Sequence, residues 1–333
     1  MSVRELPVLD AADLVAGGER AAQFRLQLRA ATHDVGFFHL RHGIPAEVTD
    51  ELFATARRFF ALPAEDKAAV EMRRSPWFRG YTRVGGELTQ GVADLREQID
   101  IGPEREPRAA AQPAYLRLDG PNQWPEALPE LRTSLEAWTE RLSRLGSALL
   151  EEWAEALGCD RHVFASLFER PSTLLKLVRY PGQIETGAQG VGAHKDPGIL
   201  TLLLIEPGAA GLQVLVDDKW VDVLPVDDTF VVNIGELLEV ATDGYLRATK
   251  HRVVSPIDGR ERISIPFFFN PSLDAEVPRL TLAPELRSGA RGVEHEADNI
   301  IGSCYGENLL KARLRAHPDV ARIHHPDLVD QGA

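Results

Sequence analysis

His194 and Asp196 stand two residues apart in "VGAHKDPGILTLLLI", at the head of the apolar run 199–205. On an extended segment, side chains at i and i+2 leave the same face. The pair therefore offers an imidazole and a carboxylate to one point in space. Neighbouring residues cannot surround an ion, so a metal site needs a further donor from another segment. His251, in "ATKHRVVSP", follows Asp196 after 54 intervening residues and opens another strand-like run. The other eight histidines are read as packing or surface residues.

Arg262 comes eleven residues after His251, and Ser264 follows it at the same two-residue spacing in "RISIPFFFN". An arginine directed into so apolar a strand is costly unless it meets an anion. A guanidinium grips a carboxylate through two parallel hydrogen bonds, and the serine hydroxyl can add a third. Two imidazoles and one carboxylate on one face of an ion leave the opposite positions open. Non-haem Fe(II) oxygenases use this arrangement, with cosubstrate and O₂ in the open positions. Zinc accepts the same ligands, which keeps a zinc hydrolase or a β-barrel binding protein as a rival. A hydrolase, however, has no evident use for the arginine and serine.

The elements that must position these groups are short strands after Pro171: 174–180, 199–205, 211–216, 220–224, 229–234, 250–254 and 262–269. Their close spacing between Gly, Pro and Asp turns predicts a β-sandwich or barrel. "GAQGVG" (187–192) reads as a flexible loop beside the site. Ahead of the strands, apolar spacing predicts helices over 19–34, 45–62 and 130–157, with a short buried strand at 36–40. Six prolines between 102 and 129 mark a long connection. A last helix, 305–316, is expected to cover one face of the sheet.

Composition sets the class. The chain has 333 residues, 44% hydrophobic and 26% charged, as in ordinary globular proteins. A net charge of −13 argues against nucleic-acid and anionic-membrane partners. Cys159 and Cys304 are too few for a thiolate cage or disulfide scaffold and read as free thiols. "MSVRELPVLD" lacks a charged segment leading into an apolar stretch, and no apolar run approaches the roughly 20 residues of a membrane span. These readings favour a cytoplasmic protein.

The order and spacing of His-x-Asp, His and Arg-x-Ser resemble the isopenicillin N synthase-like family of Fe(II)/2-oxoglutarate-dependent dioxygenases. "LPVLDAADL", "ATHDVGFFHLRHGIP", "FFALPAEDK", "RGYTRVGGE" and "RYP" are similar to family segments along nearly the whole chain. Lys195 departs from the smaller residue, such as Thr, that many relatives carry.

The resemblance implies a mainly β fold with flanking helices, built on a double-stranded β-helix, or jelly-roll, core. It would be a single oxygenase domain over 1–333. About 1–120 would be a mixed α/β region, about 130–170 helices, about 172–270 the jelly roll and about 271–333 a helical extension. His194, Asp196 and His251 would bind Fe(II). Arg262, Ser264 and Tyr180 would hold the far carboxylate of 2-oxoglutarate. Decarboxylation with O₂ would give succinate and CO₂ and oxidise a small-molecule substrate by hydroxylation, desaturation or ring closure. Arg79 and Tyr81, in "WFRGYT", are candidate substrate contacts. Phe267 and Phe269 are expected on the Arg262 face, lining the pocket. Lys195 is expected to face solvent. Isopenicillin N synthase itself binds its substrate with the same Arg-x-Ser pair, and a plant oxidase of the family uses ascorbate. Gln331 is similar to the terminal glutamine of the former. An oxidase that spares 2-oxoglutarate is therefore the nearest alternative.

Overall fold

The protein's structure is a computed structural model that describes residues 5–108, 112–182, 189–255, 259–294 and 299–329. Gly187 and Ala188 of "GAQGVG", together with His295 and Gln331, lie outside the described residues.

The apolar runs after Pro171 form two facing sheets, a jelly-roll core carried on one large sheet and one small one. Among the described residues the large sheet has eight strands. Leu174–Tyr180, Arg262–Phe269, Leu200–Ile205 and Thr229–Ile234 lie side by side at its centre, all antiparallel. Phe37–Arg41 and Val8–Asp10 extend one edge, and Glu97–Ile101 and Gly80–Thr82 extend the other. The small sheet holds Lys219–Asp222, Leu212–Val216, His251–Val254 and Gln189–His194 in that order. The first residues of this last strand correct the expected flexible loop: Val191 is the register partner of Val253.

The two faces of the large sheet meet different neighbours. Val178, Tyr180, Ile205 and Val231 point between the sheets, against Val191, Leu212, Val214 and Val253. Leu175, Leu177, Leu202, Leu204, Val232, Ile263 and Ile265 point outwards into a larger cluster with the helices. The helix Glu130–Ala156 lies across this outer face. Its Leu131, Leu135, Trp138, Leu142 and Leu149 recur at helical spacing and are buried. Close packing explains Gly146 on that helix, since a Cβ there would come within 2.6 Å of the Phe269 ring. The helix Tyr305–Ala316 closes the cavity between the sheets, contributing Tyr305, Leu309, Ala312, Arg313 and Ala316 to its lining. No helix among the described residues is long and apolar enough to cross a membrane.

Candidate active site

His194 ends one strand of the small sheet and His251 begins the next, and the two are register partners. Their rings lie 4.3 Å apart between centroids. Asp196 follows on the turn out of the strand. That turn is pinned by the helix Glu236–Ala241, whose first N–H groups, of Glu236 and Leu237, donate to the carbonyls of Asp196 and Gly198 at 2.8 and 3.0 Å.

Hydrogen bonds decide which atoms remain for a metal. Nδ1 of His194 lies 2.9 Å from the Gly192 carbonyl, and Nδ1 of His251 lies 3.1 Å from that of Thr249. A carbonyl only accepts, so each Nδ1 is the protonated nitrogen and each Nε2 keeps its lone pair. Both Nε2 atoms face Oδ1 of Asp196, at 3.5 and 3.8 Å. The other carboxylate oxygen, Oδ2, accepts from the Thr201 hydroxyl at 2.6 Å and the Asn233 amide at 2.7 Å. One donor per residue therefore converges, all within 4.8 Å of one another. Burial pushes the Asp196 carboxyl up, but the His251 and His194 rings outweigh it and hold the group well below its ordinary value. Burial, then the neighbouring His194, pulls His251 down to about 4. Burial pulls His194 down, but the adjacent Asp196 carboxylate and the Gly192 carbonyl raise it above its ordinary value. A carboxylate and deprotonated imidazole Nε2 atoms are the forms that bind a metal, and the donor set fits Fe(II).

Arg262 opens its strand directly opposite Tyr180, whose ring lies 4.7 Å from the guanidinium carbon. The arginine is 1% exposed, and none of its three side-chain nitrogens has a hydrogen-bond partner among the described residues. Burial holds it below its ordinary value, although the adjacent Tyr180 hydroxyl works in the opposite direction. Ser264, two residues along, shares the face and is also buried. A buried guanidinium with no anion is a strongly unfavourable arrangement, and a bidentate carboxylate relieves it. The three metal-binding candidates, Arg262, Ser264 and Tyr180 all line one cavity of about 970 Å³. The residues present thus fit a bound 2-oxo dicarboxylate.

Two expectations need correction. Phe267 and Phe269 do not line the cavity. Alternation places residues 262, 264, 266 and 268 on one face, so Pro266 and Phe268 line it with the arginine and serine. Phe267 and Phe269 differ from Arg262 by an odd number and point to the helix side, where Phe269 stacks on Phe168. Lys195 does not face solvent. Its ammonium bonds Glu239 at 3.0 Å, and the two side chains are 8% and 7% exposed. The other Glu239 oxygen accepts the Ala248 N–H at 3.1 Å. This pair therefore ties the His194–Asp196 turn to the segment that leads into His251.

The structure places Arg79 and Tyr81 outside the lining of the large cavity. Tyr81 stands on an edge strand, and its hydroxyl donates to Glu97 at 2.6 Å. Arg79 is buried against Gly102 and lines a small pocket that shares Leu174, Tyr305, Leu309 and Arg313 with the large cavity. Sequence reasoning did not single out Thr201, Asn233 or Glu239, nor the charged lining residues Glu87, Arg96, Lys176 and Arg313. A signal existed for Lys176: in "LLKLVRY" it shares parity with Tyr180 and so points inwards.

Comparison with known proteins agrees with this geometry. Residues 6–127 match the model of the non-haem dioxygenase in morphine synthesis N-terminal region, and residues 171–271 match that of the 2OG-Fe(II) oxygenase superfamily. The 2-oxoglutarate-dependent dioxygenase frbJ of Dothideomycetidae sp. (strain 11243) is 35% identical, over 96% of this chain and 92% of its own. A homoarginine-6-hydroxylase of Arabidopsis thaliana is 31% identical, over 92% of this chain and 96% of its own. A full-length Neurospora crassa protein, solved in complex with alpha-KG and thymine, superposes with a TM-score of 0.75. It is 25% identical, with 96% of each chain covered. The fold, the paired family matches and relatives above 30% identity over nearly their full length all agree: the chain belongs to the 2OG-Fe(II) oxygenase superfamily.

Proposed function

We propose that His194, Asp196 and His251 hold the Fe(II) of this 2-oxoglutarate-dependent dioxygenase, and that Arg262, Ser264 and Tyr180 hold the far carboxylate of its cosubstrate. The observation that carries the reading is Arg262, buried without a hydrogen bond in the cavity that the two histidines and the aspartate also line. When bound, Fe(II) with 2-oxoglutarate and O₂ supplies the oxidising chemistry and releases succinate and CO₂. The protein supplies orientation. The Gly192 and Thr249 carbonyls fix both imidazoles, and Thr201 and Asn233 fix the carboxylate. Arg262 and Ser264 set the direction in which the cosubstrate enters. Val191, Ile199, Leu203, Leu212 and Val253 keep the surrounding lining apolar, which strengthens each electrostatic contact.

The substrate is a small molecule in this reading, as a relative solved with thymine and another named a homoarginine hydroxylase support. Two free thiols and an acidic surface favour the cytoplasm as its compartment. Succinate release, measured with and without added 2-oxoglutarate, tests the assignment. Turnover must require the cosubstrate, and Arg262→Gln must raise its half-saturating concentration by at least about thirtyfold, since losing one partner of a buried charge pair costs roughly 2–5 kcal/mol. Unchanged half-saturation in that variant would refute the clamp.

A further inference from the structure

A second group of charges lines the same cavity and has no part in the roles above. Glu87, Lys176 and Arg313 are buried, and the Arg96 side chain is 10% exposed. Lys176 contacts Glu87 at 3.3 Å and Asp100 at 3.5 Å. Arg96 contacts Glu87 at 3.0 Å and Asp94 at 3.2 Å, and its Nε has no hydrogen-bond partner. Arg313, on the closing helix, contacts Asp100 at 2.8 Å. Behind them lies Arg79, 8% exposed, with an orphaned Nε and no ion pair among the described residues. Burial, and then the adjacent Arg313, pull it down to about 10. His317, 3.7 Å from Glu87, is held at about 4 by burial and is neutral.

The signs do not balance. Arg79, Arg96, Lys176 and Arg313 give four cations; Glu87, Asp94 and Asp100 give three carboxylates, and Asp119, on the same small pocket as Arg79, is matched by Arg105 at 3.5 Å. Glu236 and Arg315, one of each sign on the cavity lining, leave the difference unchanged, and Lys195 is matched by Glu239. A buried surplus cation is strongly unfavourable in the empty protein and becomes favourable when an anion arrives. The surplus also lies at a useful distance. Lys176 and Tyr180 point inwards from one strand, four residues apart, which separates them by about 13 Å. One anion held near Tyr180 therefore leaves room for a second molecule's anion near Lys176.

We propose that Arg96, Lys176 and Arg313, backed by the unmatched charge of Arg79 behind the cavity lining, form a second anion site that receives a carboxylate of the primary substrate, so that the enzyme oxidises small carboxylic acids. This rests on the oxygenase reading of the same cavity. An apolar substrate gains nothing from such a wall, whereas a site built for a charged group rejects the neutral analogue strongly.

The test uses the Fe(II)-loaded protein with 2-oxoglutarate and a panel of acids of roughly four to eight carbons, amino acids included, each paired with its primary amide. Two readouts are taken: succinate release in air, and the rise in thermal midpoint under anaerobic conditions. Acids are expected to act at concentrations at least about tenfold below their amides. Arg79→Gln should erase that preference and, by removing an unpaired buried charge, raise the thermal midpoint of the ligand-free protein. Arg313→Gln should erase the preference as well. Equal potency of acids and amides overturns the proposal. So does an Arg79→Gln protein that is less stable yet keeps the preference, which would make the cation purely structural. Absence of succinate release in every arm counts against the oxygenase reading, while the thermal arm still decides the anion site.

Discussion

The cavity has two charged ends that are built in opposite ways. At the metal end, each polar group has a partner that fixes its free atom: a carbonyl behind each imidazole, and a hydroxyl and an amide behind the carboxylate. Its residues are the His-x-Asp motif and the register partner His251, on paired strands of the small sheet; Arg262, across the cavity, is left without such a partner among the described residues. At the other end, Glu87, Asp94, Arg96 and Asp100 from one stretch meet Lys176 and Arg313, with Arg79 behind them, and these charges satisfy one another incompletely. The first end presents three fixed donor atoms that can converge on one ion. The second is a charge balance left open, which a ligand can complete. Reaction chemistry common to a family suits the first construction; recognition of a particular substrate suits the second.

Substitutions can break that contrast, beginning with the largest effect. Asp196→Ala should bring 2-oxoglutarate-dependent succinate release to background and weaken Fe(II) binding in equilibrium dialysis, with the fold retained by circular dichroism. Retained turnover would remove the carboxylate from the site. Lys195→Met isolates the buried Glu239 and should cost about 3–5 kcal/mol in urea unfolding. Because the pair joins both metal-bearing segments, Fe(II) affinity should also fall about 10–100-fold. Glu239→Leu added to Lys195→Met should recover the stability, and failure to do so would show that the ion pair is not what holds the turn.

The two faces of the strand Arg262–Phe269 sharpen the comparison further. Phe269→Ala should cost about 3–5 kcal/mol of stability while leaving the 2-oxoglutarate concentration dependence intact. Phe268→Ala, on the cavity side, should change the response to substrates at little cost in stability. The reverse pattern would restore the expected but incorrect facing. The last effect is on pH dependence. Burial holds both His39 and His317 at about 4, down from 6.5. Between pH 6.5 and 4 the unfolded chain binds a proton at each position that the folded chain refuses. Stability should therefore fall as pH falls, by up to about 1.4 kcal/mol per pH unit for each histidine, and level off below pH 4. His317→Gln, at the charged end, and His39→Gln, on the large sheet, should each remove one share of that slope in urea titrations.

The strands of the jelly roll were readable because apolar runs between turn residues are local signals, and 174–180, 229–234 and 262–269 coincide with the observed elements. The strand Gln189–His194 was missed because its Gly190 and Gly192 carry no apolar signal. Those glycines give the strand room: a Cβ at Gly192 would come within 2.7 Å of the Thr89 side chain. The phenylalanine error had a different source. The alternation was legible from residue numbers alone, and the structure shows no register slip in Arg262–Phe269 that could excuse it.

The amino-acid sequence by itself determined that Arg262 and Ser264 share one face, since a period of two along a strand places them together whatever surrounds them; His194 and Asp196 were legible as a close pair, though Asp196 stands on the turn just past the strand. Tertiary structure decided everything that depends on long-range partners. Lys195 became a buried clasp only because the helix Glu236–Ala241 brings Glu239 to it. Arg262 became an orphaned cation only because no acid among the described residues folds against it. The charged wall exists because the closing helix sets Arg313 beside Asp100, 213 residues away in the chain. Spacing along a strand is fixed by covalent geometry, but the partner that neutralises a charge is fixed by packing.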